Sequence, residues 1–140
     1  MIRGLGIDLV SVSGFRDQVA DPASVFVAST FTAAELADAR SAPDGDPNRH
    51  LAARFAAKEA YVKAWSQLQI APMRPMSPSE LRMIEVIRDG WGRPTLRCSG
   101  PFAAASLSLA SHVSLSHDGD HAIAVVVLED AAPSGPAGPP

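Results

Sequence analysis

Two acidic residues far apart in the chain, Asp8 and Glu59, stand where carboxylates are uncommon. Glu59 lies in Arg54-Phe-Ala-Ala-Lys-Glu-Ala-Tyr-Val-Lys63, which reads as part of a long helix. At about 100° per residue, Ala52, Phe55, Ala56, Val62 and Ser66 fall close to the azimuth of Glu59. Its carboxylate therefore sits near the middle of an apolar stripe, where an unpaired charge is costly. Two partners suit it. One is Lys63, a turn later in the favourable Glu-before-Lys order, giving an ordinary ion pair. The other is a divalent cation. Asp8 follows Gly4 and Gly6 on one face of a strand, where absent side chains admit another backbone or a ligand. It could equally end the strand or cap the helix that follows. Two carboxylates completed by substrate phosphates would suit magnesium, which keeps waters and uses few protein ligands. Spacing alone does not bring the two together.

Near the other end, Ser114-Leu-Ser-His117-Asp118 contains the residue types of a hydrolase triad. Neighbouring strand residues point to opposite faces, so Ser116 and His117 do not make a nucleophile–base pair. No Gly-x-Ser-x-Gly elbow is present. His117 at a strand end either donates a hydrogen bond to a phosphate or caps a turn. Gly92-Arg-Pro94 is a turn signal, and the sequence has no P-loop or dinucleotide fingerprint.

The elements that must position these residues alternate along the chain. Met1–Val10 reads as a strand, and Ser11–Ala20 as a short helix ended by Asp21-Pro22. Thr32-Ala-Ala-Glu35 is a capping box opening a helix to about Arg40. Asp46 and Pro47 supply the cap and first turn of a long helix to about Ser66. Gln67–Pro78 holds three prolines and reads as a loop, with Ser77-Pro-Ser-Glu80 as a second capping box. Met83–Arg88 and Thr95–Cys98 form a hairpin around Asp89-Gly-Trp-Gly92, and Pro101–Ala110 an Ala-rich helix. His112–His117 and His121–Glu129 pair across Asp118-Gly-Asp120. The apolar run Ala122–Leu128 predicts a central strand buried on both faces. Residues 1–130 make one domain, and the Pro, Gly, Ala and Ser tail at 131–140 is expected to be disordered. The fold class is α+β, with a small, mostly antiparallel sheet.

Composition narrows the partners. The chain has 140 residues, 46% hydrophobic and 19% charged, with a formal charge of −3. That balance gives no basic surface for nucleic acid. The longest apolar run is far too short to span a bilayer as a helix. Asp8 interrupts the first apolar stretch, which therefore does not read as a signal-peptide core. The single Cys98 makes neither an intrachain disulfide nor a cysteine-rich zinc site. A cytoplasmic protein with no membrane or nucleic-acid partner is expected.

Three separated segments together resemble the holo-acyl-carrier-protein synthases, the small trimeric class of 4′-phosphopantetheinyl transferases. They are Gly4-Leu-Gly-Ile-Asp-Leu-Val10, Arg54-Phe-Ala-Ala-Lys-Glu-Ala-Tyr-Val-Lys-Ala64 and Val113-Ser-Leu-Ser-His117. Trp91-Gly-Arg-Pro94 is similar to the family's Gly-x-Pro turn. The resemblance covers about residues 2–129. It implies the transferase fold, with a long central helix and shorter helices packed on the sheet. It implies transfer of 4′-phosphopantetheine from coenzyme A to a serine of an apo acyl carrier protein, releasing 3′,5′-ADP. By the same resemblance, Asp8 and Glu59 hold Mg2+ beside the pyrophosphate, and Lys63 contacts it and offsets leaving-group charge. Arg54, His117 and the turn residues Gly92, Arg93 and Pro94 bind coenzyme A. A homotrimer is implied, with His117 coming from the neighbour of the subunit that supplies Asp8 and Glu59.

Two departures bear on the partners. Ser11–Ala20 offers only Arg16 where the family's first helix often carries several basic residues that grip an acidic carrier. Ser66-Gln-Leu-Gln-Ile70 and a Pro-rich loop replace a Gly-rich turn. The acceptor is expected to be a free-standing carrier protein or a carrier domain of a fatty-acid synthase. A non-catalytic carrier or coenzyme A binding module, and a small metal-dependent phosphoryl hydrolase, are the rival readings.

Overall fold

A computed structural model describes residues 1–68 and 77–131. Most of the Pro-rich loop and the expected disordered tail therefore lie outside the described residues. The chain runs β1 (Ile2–Ser11), α1 (Val12–Ala20), α2 (Phe26–Thr30), α3 (Ala33–Arg40), α4 (Pro47–Ser66) and α5 (Pro78–Leu81). It continues as β2 (Ile84–Arg88), β3 (Pro94–Cys98), a 3-10 turn (Gly100–Phe102), α6 (Ala103–Ser106), β4 (Leu109–Asp118) and β5 (His121–Asp130). One antiparallel sheet has the order β1-β5-β4, and β2-β3 is a separate hairpin. The α+β expectation holds.

Helix α4 begins where the sequence predicts. The Asp46 side chain accepts from Arg49 N at 3.1 Å, and Pro47 occupies the first turn without losing a needed donor. The helix lies across the inner face of the sheet, where Ala122, Ala124, Val126 and Leu128 of β5 are all buried. Gly4 and Gly6 explain how closely it lies. A Cβ at Gly6 would stand 1.8 Å from the Ala60 carbonyl oxygen, and one at Gly4 2.2 Å from that of Ala64. The glycines thus admit a helix backbone, and Ala60 and Ala64 answer them with the smallest side chains that still favour a helix.

Three expectations are corrected. The burial of α4 is not a stripe centred on Glu59: Phe55, Glu59, Val62 and Ser66 are only half-buried and Lys63 is exposed, whereas Arg54 and Lys58 are buried, because α3 and β2 cover the side away from the sheet. Pro101–Ala110 is not one helix but a 3-10 turn and a four-residue helix, and β4 starts at Leu109. Gly100, at φ 56°, breaks the approach, and the Ala-rich stretch has few large side chains to anchor a longer helix. Strand β5 is central, but only one of its faces is fully covered within the chain. Ile123, Val125 and Val127 stay half-buried on the other. Helix α2 has no counterpart in the sequence reading. It is set by Phe26 and Phe31, which join Phe15 and Phe55 in an aromatic cluster with ring centroids 5.2 to 6.2 Å apart.

Helices α3 and α4 are joined by a buried ion pair. Lys58 Nζ donates to Glu35 Oε2 at 2.9 Å, to the Ile84 carbonyl at 2.6 Å and to that of Leu81 at 3.1 Å. Glu35 also accepts from Thr32 N, closing the capping box, and from Val86 N, each at 2.9 Å. Both side chains are fully buried, and one pair ties α3, α4, α5 and β2 together. Asp120 performs a similar task at the surface. It accepts from Ser13 N at 2.8 Å, Ser13 Oγ at 2.6 Å and Ser11 Oγ at 3.0 Å, fixing the start of α1 against the β4–β5 turn.

Candidate active site

Asp8 follows Gly4 and Gly6 along the β1 face that meets α4. The strand advances about 3.3 Å per residue and the helix about 1.5 Å, so a two-residue strand step matches one helical turn. With Gly4 against Ala64 and Gly6 against Ala60, the next position on that face, Asp8, comes level with the following turn, between Ala56 and Ala60, whose outer side carries Glu59. Asp8 and Glu59 line one pocket of about 500 Å³, with Ser11, Gly14, Phe15, Gln18 and Phe55 among its other walls. Asp8 does not cap α1. Ser11 does, accepting from Gly14 N at 3.1 Å.

Lys63 reaches the same place. Its ammonium donates to Asp8 Oδ1 at 2.7 Å and to the Ile7 carbonyl at 3.0 Å. The pairing within the helix that the Glu59–Lys63 spacing offered is replaced by one between helix and strand. Glu59 binds its proton more tightly than an ordinary carboxylate. Partial burial is the main cause, the negative charge of Asp8 adds to it, and Lys63 partly offsets both. Two acidic groups in one open pocket, with one ammonium bound to Asp8, carry an uncompensated negative charge. Among the described residues no cluster of three His, Cys, Asp or Glu side chains is suited to a metal ion. A metal ion bound at this pocket would have the two carboxylates as its protein ligands, a donor set that fits the sparse protein ligation of magnesium.

The phosphate-binding candidates gather elsewhere. Arg54, Gly92, Pro94 and His117 line a groove of about 370 Å³ together with His50, Arg88 and Ser116. Gly92, at φ 79°, supplies the left-handed turn that brings Pro94 to the rim. His117 stands edge-on to His50, ring centroids 5.9 Å apart, and His50 Nε2 lies 3.0 Å from both Asp44 oxygens. Arg93 does not join this groove. Its Nε donates to Asp89 Oδ2 at 2.7 Å, and it lines a separate surface with Ser111, His112 and Ser114. A single chain thus carries two separate candidate half-sites. Asp8, Glu59 and Lys63 form one, and Arg54, His117, Gly92 and Pro94 form the other. Sequence reasoning missed His50, Arg88 and the acidic residue behind them, Asp38. The one available signal is the helical spacing of His50, Arg54 and Lys58, which puts three basic types on one side of α4.

Residues 4–126 match the ACPS family of the 4′-phosphopantetheinyl transferase superfamily. The chain belongs to that family. It is 50% identical over 129 residues to a holo-[acyl-carrier-protein] synthase of Mycobacterium tuberculosis, covering 91% of this chain and 97% of the relative. The solved structure of the M. tuberculosis acyl carrier protein synthase superposes with a TM-score of 0.73 at 46% identity, covering 94% of this chain and all of the other. A holo-(acyl-carrier-protein) synthase of Bacillus anthracis, solved in complex with coenzyme A (3′,5′-ADP), gives a TM-score of 0.70 at 30% identity. That match covers 94% of this chain and 99% of the other. The α+β fold of these transferases is therefore the fold of this chain, as the sequence implied. Among the described residues no helix is long and apolar enough to cross a membrane.

Proposed function

We propose that this phosphopantetheinyl transferase moves the 4′-phosphopantetheine arm of coenzyme A onto a serine of an apo acyl carrier protein, using Mg2+ held by Asp8 and Glu59. The shared pocket of these two carboxylates carries the reading. The carrier serine Oγ attacks the β-phosphorus of coenzyme A. A new Oγ–P bond forms, the bond to the bridging oxygen breaks, and 3′,5′-ADP leaves. Glu59, whose proton affinity burial has raised, takes the serine proton directly or through a water it orients. Lys63 shifts from Asp8 toward the pyrophosphate and offsets charge on the departing oxygen. Magnesium, when bound, supplies further neutralisation of phosphoryl oxygens. Arg54, His117 and the Gly92–Pro94 turn hold the coenzyme's phosphate and adenosine end, with Arg93 at the turn outside the groove.

The two half-sites meet when subunits assemble. Leu5, Ile7 and Leu9 project from the outer face of β1, 54%, 54% and 61% exposed, beside half-buried Ile123, Val125 and Val127 of β5. An apolar sheet face of this kind is rarely left to water. In a homotrimer it is covered, and the groove carrying Arg54 and His117 of one subunit faces the carboxylate pocket of the next. The free thiol of Cys98 suits a reducing cytoplasm.

The test is intact-mass spectrometry of apo carriers, both a free-standing protein and a fatty-acid-synthase carrier domain, incubated with the protein, coenzyme A and Mg2+. The expected result is a 4′-phosphopantetheine mass gain that disappears with Asp8→Ala. Modification of neither carrier would overturn the transferase reading. Release of 3′,5′-ADP without any carrier would favour a hydrolase instead.

A further inference from the structure

Behind the phosphate groove one carboxylate holds two guanidiniums. Asp38, on α3, accepts from Arg54 at Oδ2 and from Arg88 at Oδ1. Arg54 rises from α4 with its side chain 6% exposed, whereas Arg88 ends β2 and is 45% exposed. Two elements, α4 and β2, thus converge on a single acid of α3. Arg54 donates also to the His50 carbonyl at 3.1 Å, and its buried Nε has no hydrogen-bond partner among the described residues. Both guanidiniums line the groove that holds His117.

This arrangement is poorly explained by stability. Burial works against the charge of Arg54, Asp38 and Glu35 support it, and Arg88 opposes it again. Asp38 can neutralise only one of the two cations, so the cluster keeps a net positive charge facing the groove. A half-exposed ion pair such as Arg88–Asp38 adds little to stability. A doubly charged phosphate would supply what is missing, because guanidinium forks match its oxygens and relieve their mutual repulsion. The carboxylate, accepting from both side chains, fixes two arginines that line the one groove. Coenzyme A carries a pyrophosphate and one phosphomonoester, and the pyrophosphate belongs with Asp8, Glu59 and Lys63.

We propose that Arg88 binds the phosphomonoester of coenzyme A beside Arg54, and that Asp38 is the positioning residue that sets the two guanidiniums as a clamp. The clamp discriminates coenzyme A from 3′-dephospho-coenzyme A. This inference rests on the transferase reading, so its test has one arm that needs no carrier. In that arm, 3′,5′-ADP and 5′-ADP are titrated calorimetrically into the protein. Arg88→Gln weakens 3′,5′-ADP relative to 5′-ADP on the order of tenfold, the loss of one charge-assisted contact. In the second arm, kcat/KM is compared for coenzyme A and 3′-dephospho-coenzyme A with an apo carrier. Arg88→Gln and Asp38→Asn narrow that ratio, mainly through KM, and Asp38→Glu restores part of it. An unchanged nucleotide preference in Arg88→Gln overturns the clamp. A loss in Asp38→Asn that is equal for both coenzymes overturns the positioning role. Clamp-dependent nucleotide binding without carrier modification would sink the transferase reading and leave the clamp standing.

Discussion

Lys63 Nζ lies 2.7 Å from Asp8 Oδ1, bridging positions 55 residues apart, although Glu59 stands one turn before it on the same helix. The ammonium thereby locks the C-terminal part of α4 to β1 and neutralises one of the two carboxylates in the pocket. Glu59 is left with the larger share of unrelieved charge, and its carboxyl holds its proton to higher pH than usual.

Glu59→Gln should separate stability from function. A raised folded-state pKa means that the native protein binds a proton more readily than the unfolded chain. Stability from this group is therefore present at low pH and lost as pH rises through the raised value. At neutral pH and without metal, Glu59→Gln is expected to melt higher than the parent, while carrier modification falls by orders of magnitude. Added Mg2+ should raise the melting temperature of the parent and leave Glu59→Gln unmoved. Thermal scans across pH, with and without Mg2+, check the two stability outcomes, and intact-mass spectrometry of the carrier checks the loss of turnover. A parent and variant with identical pH profiles would remove Glu59 from the pocket's charge balance.

Gly6→Ala tests the helix–strand contact. The added methyl would sit 1.8 Å from the Ala60 carbonyl oxygen, and backbone cannot step aside as a side chain can. A loss of roughly 1–3 kcal/mol or more is expected in urea titration. Gly90→Ala is the control, since a Cβ there meets nothing within 4 Å, and it should cost little.

Lys58→Met removes one partner of a fully buried pair and leaves the Glu35 carboxylate enclosed. The expected cost is about 3–5 kcal/mol. Replacing Glu35 as well by Leu should recover little, because Thr32 N and Val86 N would then lose their acceptor. Equilibrium unfolding of the single and double variants reads this asymmetry.

Ile7→Glu places a charge in the exposed apolar face of β1. Light scattering after size exclusion should show the parent as a trimer and the variant as a smaller species. Carrier modification should fall with it, because in the proposed assembly each site draws residues from two subunits. A monomeric variant that keeps full turnover would show that one chain suffices.

Local signals were read where the chemistry is local. Asp46 before Pro47 and the Thr32–Glu35 box set helix starts through contacts within one turn, so those starts stood in the sequence. Gly4, Gly6 and Asp8 share a strand face by simple alternation, and this was enough to single out Asp8. The ordered set of three motifs was enough to point to the family. Helix α2 was missed because its five residues form under an aromatic cluster to which α1, α4 and α2 with its C-cap contribute. The expected helix at Pro101–Ala110 failed because alanine propensity alone does not sustain a helix without a packing face.

From its sequence alone, this protein determined which carboxylates and which bases were candidates, since residue type and period are one-dimensional facts. Only the tertiary structure decided who meets whom. Lys63 turned from Glu59 to Asp8 because the glycines of β1 let the strand lie against α4. Lys58 was drawn into a closed ion pair, and Asp38 gathered Arg54 and Arg88, through the packing of α3 and β2 on the far side of that helix. Charges choose partners by distance in space, and distance in space is set by packing.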